Sequence, residues 1–257
     1  MMKSESISQM EELCEKLSKQ RNSTVIPLLM DETRSITHYL VSEVYDQIKS
    51  IEEQGLLKED VDVILHSGGG DVDAAYHLGL ILQGVCKGNL TIIIPRYAKS
   101  AATLLACSGN TIAMDLPSEL GPIDPQIEDP TTKRWVSILS ITKTIDFLKT
   151  LEKGPLLEEL AKRIPVLEIG DYDRLIRHVC TCVEELLLRR MLKNDKNRKE
   201  LASKIAKALT QKFQHHGMCI DISKAKEIGL KVVQLPPEQW KIVWKIFRIF
   251  EAEFLVD

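Results

Sequence analysis

Three consecutive glycines, with a serine about thirty positions further on, are the residues of this chain best suited to chemistry. Leu65-His66-Ser67-Gly68-Gly69-Gly70-Asp71-Val72 carries the glycines, and Lys99-Ser100-Ala101-Ala102-Thr103 carries the serine. A glycine turn can aim bare backbone N–H groups at a developing oxyanion, since no side chain stands in the way. A hydroxyl at a helix start sits where the helix dipole favours negative charge. Together they suggest an acyl-transfer site. Ser100 is the candidate nucleophile, and the amides of Gly69, Gly70 and Ala101 are the candidate oxyanion hole. Two blander readings compete: a serine at a helix start is often only an N-cap, and a glycine run is often only a tight turn. A phosphate cradle is disfavoured, because no Gly-Lys-Ser/Thr follows the turn and no Gly-x-Gly-x-x-Gly fingerprint is present there.

A serine hydroxyl is a poor nucleophile at neutral pH and needs a base. The chain has six histidines. His38 and His77 fall within helical stretches, and His178 lies among leucines and arginines in a long helix. His66 flanks the glycines, but its alternation with Leu65 turns it away from the site. His215-His216 lies between two helices beside Gly217, where a side chain can reach across the fold.

The elements around these residues are legible. Val61-Asp62-Val63-Ile64-Leu65 is a strand-like apolar run, and Leu78, Ile81, Leu82 and Val85 then repeat at helical spacing. Leu90-Thr91-Ile92-Ile93-Ile94 reads as the next strand. The first half is thus expected to run as strand 24–29, a helix ending near Gly55, strand 61–66, helix 72–86, strand 90–95, helix 101–107 and strand 111–115. Asp31 or Thr33 is the expected cap of the first of these helices, which shows Ile36, Leu40, Val44, Ile48 and Ile51 on one face. This alternation predicts an α/β fold with a parallel, helix-covered sheet. Past Gln126 helices dominate, at 136–152, 155–163, 171–193 and 197–213. Residues 1–22 read as a polar, helix-prone arm, 23–235 as the catalytic domain, and 236–257 as an apolar C-terminal helix. In that helix Trp240, Val243, Trp244, Phe247, Phe250 and Phe254 form one stripe and Ile242, Ile246 and Ile249 another. A helix so apolar is either buried in the core or a contact surface, and its terminal position favours an oligomer interface.

The glycine and serine segments resemble the ClpP/crotonase superfamily, in which a strand ending in a Gly-Gly turn forms the oxyanion hole and the next β-α turn carries the serine. Ser118-Glu119-Leu120-Gly121-Pro122-Ile123-Asp124-Pro125-Gln126, and His216-Gly217 followed by Ala225-Lys226-Glu227-Ile228-Gly229-Leu230, are similar to the serine dehydrogenase proteinase family, a Clp-like branch. The resemblance spans about Val25 to Val233. It implies a ClpP/crotonase-like core of β-α units with a Gly-rich oxyanion turn, extended by C-terminal helices, and a Ser-Asp-His order that maps onto Ser100, Asp124 and His216. A carboxylate stiffened between Pro122 and Pro125 would select the useful tautomer of the base. The chain departs from the family pattern at Gly217-Met218-Cys219, so His215 stays open as the base. Signal peptide peptidases of the same superfamily use a Ser–Lys dyad instead, and of Lys99, Lys133, Lys143 and Lys149 the best spaced for that role is Lys143. Thr142 and Thr144 beside it read as an ordinary helix face.

Composition bounds these readings. A chain of 257 residues with 44% hydrophobic and 28% charged residues can bury a sizeable core and is not disordered. A net charge of −3 gives no support to nucleic-acid binding. No run approaches the ~20 apolar residues of a membrane span, and residues 1–20 do not read as a signal peptide, so a cytoplasmic location is expected. Cys14, Cys86, Cys107, Cys180, Cys182 and Cys219 are scattered and read as reduced thiols rather than a disulfide framework or zinc site. The expectation is a serine peptidase acting on peptides or proteins, without cofactor or metal, working as a homo-oligomer. A catalytically silent scaffold and a crotonase-like thioester enzyme, with Glu119 as the nearby carboxylate, are the alternatives.

Overall fold

Each central strand alternates between two apolar environments, and that alternation builds a sheet covered on both faces. The computed structural model describes residues 4–128, 133, 135–161, 166–213, 215 and 217–254. The chain runs α1 (Ser4–Arg21), β1 (Ser23–Leu29), α2 (His38–Glu53), β2 (Asp60–His66), α3 (Val72–Val85), β3 (Leu90–Ile93), β4 (Tyr97–Ala98), α4 (Ala101–Ala106) and β5 (Thr111–Ala113). It continues through β6 (Glu119–Leu120), β7 (Gln126–Glu128), β8 (Trp135–Ser137), α5 (Ile138–Thr150), α6 (Pro155–Ala161), α7 (Val166–Arg189), α8 (Arg198–Lys207), α9 (Ile222–Ile228), β9 (Val232–Val233) and α10 (Pro237–Phe254). Five strands form one sheet in the order β1-β2-β3-β5-β9, with every pairing parallel. Two small ladders flank it: β4 with β6, parallel, and β7 with β8, antiparallel.

Val63 and Leu65 of β2, Ile92 of β3 and Ile112 of β5 face the larger core, which α2, α3, α4, α7 and α8 cover. Ile64, Ile93 and Ala113, one register step away, face a second core built with Leu17 of α1 and Val243 and Ile246 of α10. The residues read as a polar arm are therefore a docked helix. Arg21 fixes it: its guanidinium makes a two-pronged pair with Asp62 at 2.6 and 2.9 Å, and Ser23 Oγ donates to the same carboxylate. Asp62 is 1% exposed, so its charge depends on these partners.

Three expectations change. Thr37, not Asp31 or Thr33, caps α2 by accepting the Leu40 N–H. Asp31 instead turns back on its own loop, accepting the Thr33 N–H at 2.8 Å. The helix expected at 136–152 opens as strand β8, because Gln126–Glu128 offers it an antiparallel partner. The helix expected to 213 gives way after Lys207 to a π-helical turn, Ala208–Lys212. The apolar C-terminal helix docks on the chain's own core: Ile242, Val243, Ile246, Phe247 and Phe250 are all buried within this chain. Trp240 and Trp244 are half-buried, and the Phe254 side chain lies outside the described residues.

Candidate active site

Ser100 is the junction residue between β4 and α4, and its backbone is unusual. It holds φ 50° and ψ −121°, and its side chain makes no capping hydrogen bond. An N-cap serine normally has extended backbone and accepts a helix N–H at its hydroxyl oxygen, so the capping reading does not describe this residue. Positive φ costs a non-glycine residue of order 1–3 kcal/mol, and such strain gathers at functional sites. The surrounding bonds hold it there. Lys99 N–H donates to Ser67 O at 3.0 Å, and Ser67 N–H donates to Tyr97 O at 3.1 Å, which staples the serine turn to the glycine turn. Thr103 Oγ1 lies 2.7 Å from Ala98 O and 2.8 Å from Gly121 O, anchoring α4 beneath.

The glycines face this serine directly. A Cβ on Gly69 would stand 2.9 Å from both Ser100 Cβ and Lys99 O, at a φ of +119°. A Cβ on Gly70 would stand 2.3 Å from Ile36 O, at a φ of +145°, because Ile36 N–H and Asp71 N–H lock that stretch to the loop before α2. Gly69 N–H is already engaged by Ser67 Oγ at 3.1 Å. Among the described residues, neither Gly70 N–H nor Ala101 N–H has a protein acceptor. Two open amides beside a half-buried serine are the parts of an oxyanion hole.

Ser100, Gly68 and Gly70 line a cavity of about 750 Å³ together with Asp73, Asp124 and His178. Asp124 also lines a second cavity of about 710 Å³, with Ser137, Ser140 and Lys143. Asp124 is 5% exposed and accepts the Ser137 hydroxyl at 2.6 Å. The loop expected around it is thus a hairpin base, with Ile138 N–H bonded to Pro125 O. Lys143 is an exposed residue of α5 on the same cavity wall. His216 lies outside the described residues. His215 is exposed, and its Nδ1 accepts the Gly217 N–H at 3.0 Å.

Two other expected residues are placed firmly. His66 does point away from the site: it is fully buried between Tyr97, Phe247 and Phe250, on the α10 face. Burial, assisted by the Arg96 charge, pushes its pKa down to about 4. Glu119 is held by Lys99 at 3.1 Å and Arg96 at 3.4 Å. Burial alone would raise its pKa, but hydrogen bonds from Cys219 and Lys99 and the nearby positive charges hold it below the usual range. A carboxylate so engaged is not the poised acid that hydratase chemistry asks for.

One feature of the cavity wall escaped the sequence. His178 of α7 binds Asp73 of α3 at 2.6 Å, and Cys182 Sγ lies 3.7 Å from the same imidazole nitrogen. The signal present was the four-residue spacing of His178 and Cys182 on one helix face; Asp73 lies 105 positions away, beyond any local pattern.

A family model described as ClpP-like SDH-type serine proteinase matches residues 1–252. Two curated relatives, the uncharacterized proteins MJ0137 and MJ1495 of Methanocaldococcus jannaschii, are 27% and 29% identical over 238 and 222 residues. The alignments cover 90% and 84% of this chain and 76% and 68% of the relatives. Among solved structures, two mutants of the 1510-N membrane-bound stomatin-specific protease share the fold at a TM-score of 0.52. One carries a serine-to-alanine change; the other carries a lysine-to-alanine change and is in complex with a substrate peptide. They are 16% and 17% identical to this chain, covering 84% of it and 80% and 76% of their own lengths.

Proposed function

The chain belongs to the ClpP-like SDH-type serine proteinases, and we propose that it hydrolyses peptide bonds through an acyl-enzyme on Ser100. The observation that carries this reading is the strained Ser100 packed against Gly69, with the Gly70 and Ala101 amides open beside it. In the first step a base takes the Ser100 proton while Oγ bonds to the scissile carbonyl carbon. The two amides receive the oxyanion. The C–N bond then breaks, the leaving amine takes the proton from the base, and water repeats the sequence to release the acid.

For the base we favour Lys143, which shares a cavity with Asp124 while Asp124 shares the adjoining one with Ser100. The lysine and serine changes carried by the two structural neighbours support a dyad of the same kind. The second reading keeps His216 as base with Asp124 orienting it, and rests on Asp124 being a buried carboxylate in the Ser100 cavity. Assembly as a homo-oligomer and a cytoplasmic location belong to the proposal as well. Among the described residues no helix is long and apolar enough to cross a membrane.

A fluorophosphonate probe should label wild-type protein at Ser100, and Ser100→Ala should lose both label and turnover, on the order of a millionfold. A folded Ser100→Ala variant that hydrolyses peptides normally overturns the assignment. Lys143→Met inactive with His216→Ala healthy establishes the dyad; the opposite pattern establishes the triad.

A further inference from the structure

We propose that Asp73, His178 and Cys182 form a binding site for a divalent metal ion of the zinc class, and that its occupation inhibits hydrolysis at Ser100. The second half rests on the peptidase reading above; the first does not.

The three donor atoms lie within 4.8 Å of one another. They come from two helices: Asp73 from the first turn of α3, His178 and Cys182 from successive turns of α7. Tetrahedral zinc with Zn–N of about 2.05 Å and Zn–S of about 2.3 Å sets sulfur and nitrogen about 3.6 Å apart. The observed Sγ to Nε2 distance is 3.7 Å, so this edge of the polyhedron already has its length. The oxygen–nitrogen edge of such a site is about 3.3 Å. Asp73 Oδ1 and His178 Nε2, now 2.6 Å apart, need to spread by less than an ångström, and both side chains are exposed enough to do so. A sulfur, nitrogen and oxygen set suits zinc, cobalt or cadmium and is poorly suited to magnesium or calcium, which take oxygen alone. Three protein ligands leave a fourth position for water.

A plain ion pair between Asp73 and His178 is the competing account. Exposed pairs of that kind contribute little, and the pair does not account for a buried thiol facing the same nitrogen. The position gives the site its consequence. Asp73 and His178 line the cavity that holds Ser100 and Gly70. An ion there ties α7 to α3 along the cavity wall and sets a metal-bound water in the space a peptide must enter.

The test uses metal-stripped protein titrated with Co2+ and then Zn2+. One equivalent of Co2+ should give a thiolate charge-transfer band, which Zn2+ displaces. The band should be absent in Cys182→Ser and kept in Cys180→Ser, since Cys180 faces Thr210 instead. His178→Ala and Asp73→Asn should weaken Zn2+ binding by at least about tenfold, because even outer-shell partners are commonly worth 10–100-fold. Both are surface changes, which guards against a Cys182 variant that folds poorly. Zn2+ should inhibit peptide hydrolysis by the wild type and Cys180→Ser, and leave Cys182→Ser unaffected. No band, or a band that survives Cys182→Ser, overturns the site. Binding with unchanged hydrolysis overturns the inhibition. Metal-stripped protein with no peptidase activity strikes the reading of Ser100 and leaves the spectroscopic arm to decide the site.

Discussion

Replacing His66 with phenylalanine should flatten the acid limb of the protein's stability. The imidazole is fully buried, its Nδ1 accepts the Tyr97 N–H at 3.4 Å, and its Nε2 has no partner among the described residues. Its ring stands 4.0 Å from Tyr97 and 4.8 Å from Phe247, centroid to centroid. Charging it would place a cation among aromatic rings near Arg96 and turn the Nδ1 acceptor into a donor facing a donor. The folded pKa, about 4, lies below the ordinary 6.5. Between those values the unfolded chain holds a proton that the native state refuses. The contribution of His66 is therefore intact above pH 6.5, falls as pH drops through that window, and is lost by pH 4. At roughly 1.4 kcal/mol per pH unit the loss amounts to about 3 kcal/mol. Urea unfolding followed by circular dichroism at pH 7, 6, 5 and 4 reads it out. Fitting the larger ring should cost His66→Phe about 1–3 kcal/mol at pH 7. The difference between variant and wild type should then move by about 3 kcal/mol in the variant's favour on going to pH 4. Carboxylates held low, such as Asp31 and Glu119, weaken both proteins in acid and cancel in this difference. Stability curves that run parallel from pH 7 to pH 4 refute the reasoning.

Gly69→Ala should leave the chain folded, at a cost of about 1–3 kcal/mol, while lowering turnover on the order of 10²–10³-fold, since its Cβ must push the Ser100 side chain or the Lys99 carbonyl aside. Near wild-type hydrolysis by this variant would mean that the glycine turn does not abut the reacting atoms. Arg21→Met should cost about 3–5 kcal/mol in urea unfolding, because it leaves Asp62 charged and buried. Adding Asp62→Asn should recover part of that loss; a single variant as stable as wild type would show that α1 is not held by this pair.

The fold was legible where apolar spacing extends over several residues. β1, β2, β3, α3 and α10 lie within a few residues of their expected positions, because half-buried strands and one-sided helices imprint their period on the chain. β9 did not show, since Val232–Val233 is two residues long and joins the sheet only because β5 offers it an edge. The α2 cap was misplaced for a different reason: Asp31, Thr33 and Thr37 are equally good caps by type, and only the Asx turn that occupies Asp31 leaves the role to Thr37. The docking of the C-terminal helix on its own core was not legible, because a sequence shows that a face is apolar and not whether the sheet it covers belongs to the same chain.

The site divides along the same physical line. Ser100, Gly69, Gly70 and Ala101 belong to two turns whose geometry is local, and the glycine run together with the small residues after the serine announces them. What brings the turns together is the pairing of Ser67 with Ala98, a contact between strand ends that strand order alone determines. Neither the proposed base nor the proposed metal ligands have such a local signature. Lys143 and His178 each sit on a helix whose sequence fits an ordinary surface, and each gains chemical meaning from a wall it shares with residues tens of positions away. For Lys143 that wall is shared with Asp124, 19 positions before it, and for His178 it is shared with Ser100 and Asp73. The proposed oxyanion hole is thus written in the turns themselves, whereas the proposed proton acceptor depends on where the helices after Gln126 pack. On this proposal, exchanging Lys143 should change rate without disturbing the Gly70 and Ala101 amides, which is why the paired Lys143 and His216 variants separate mechanisms that Ser100 alone cannot.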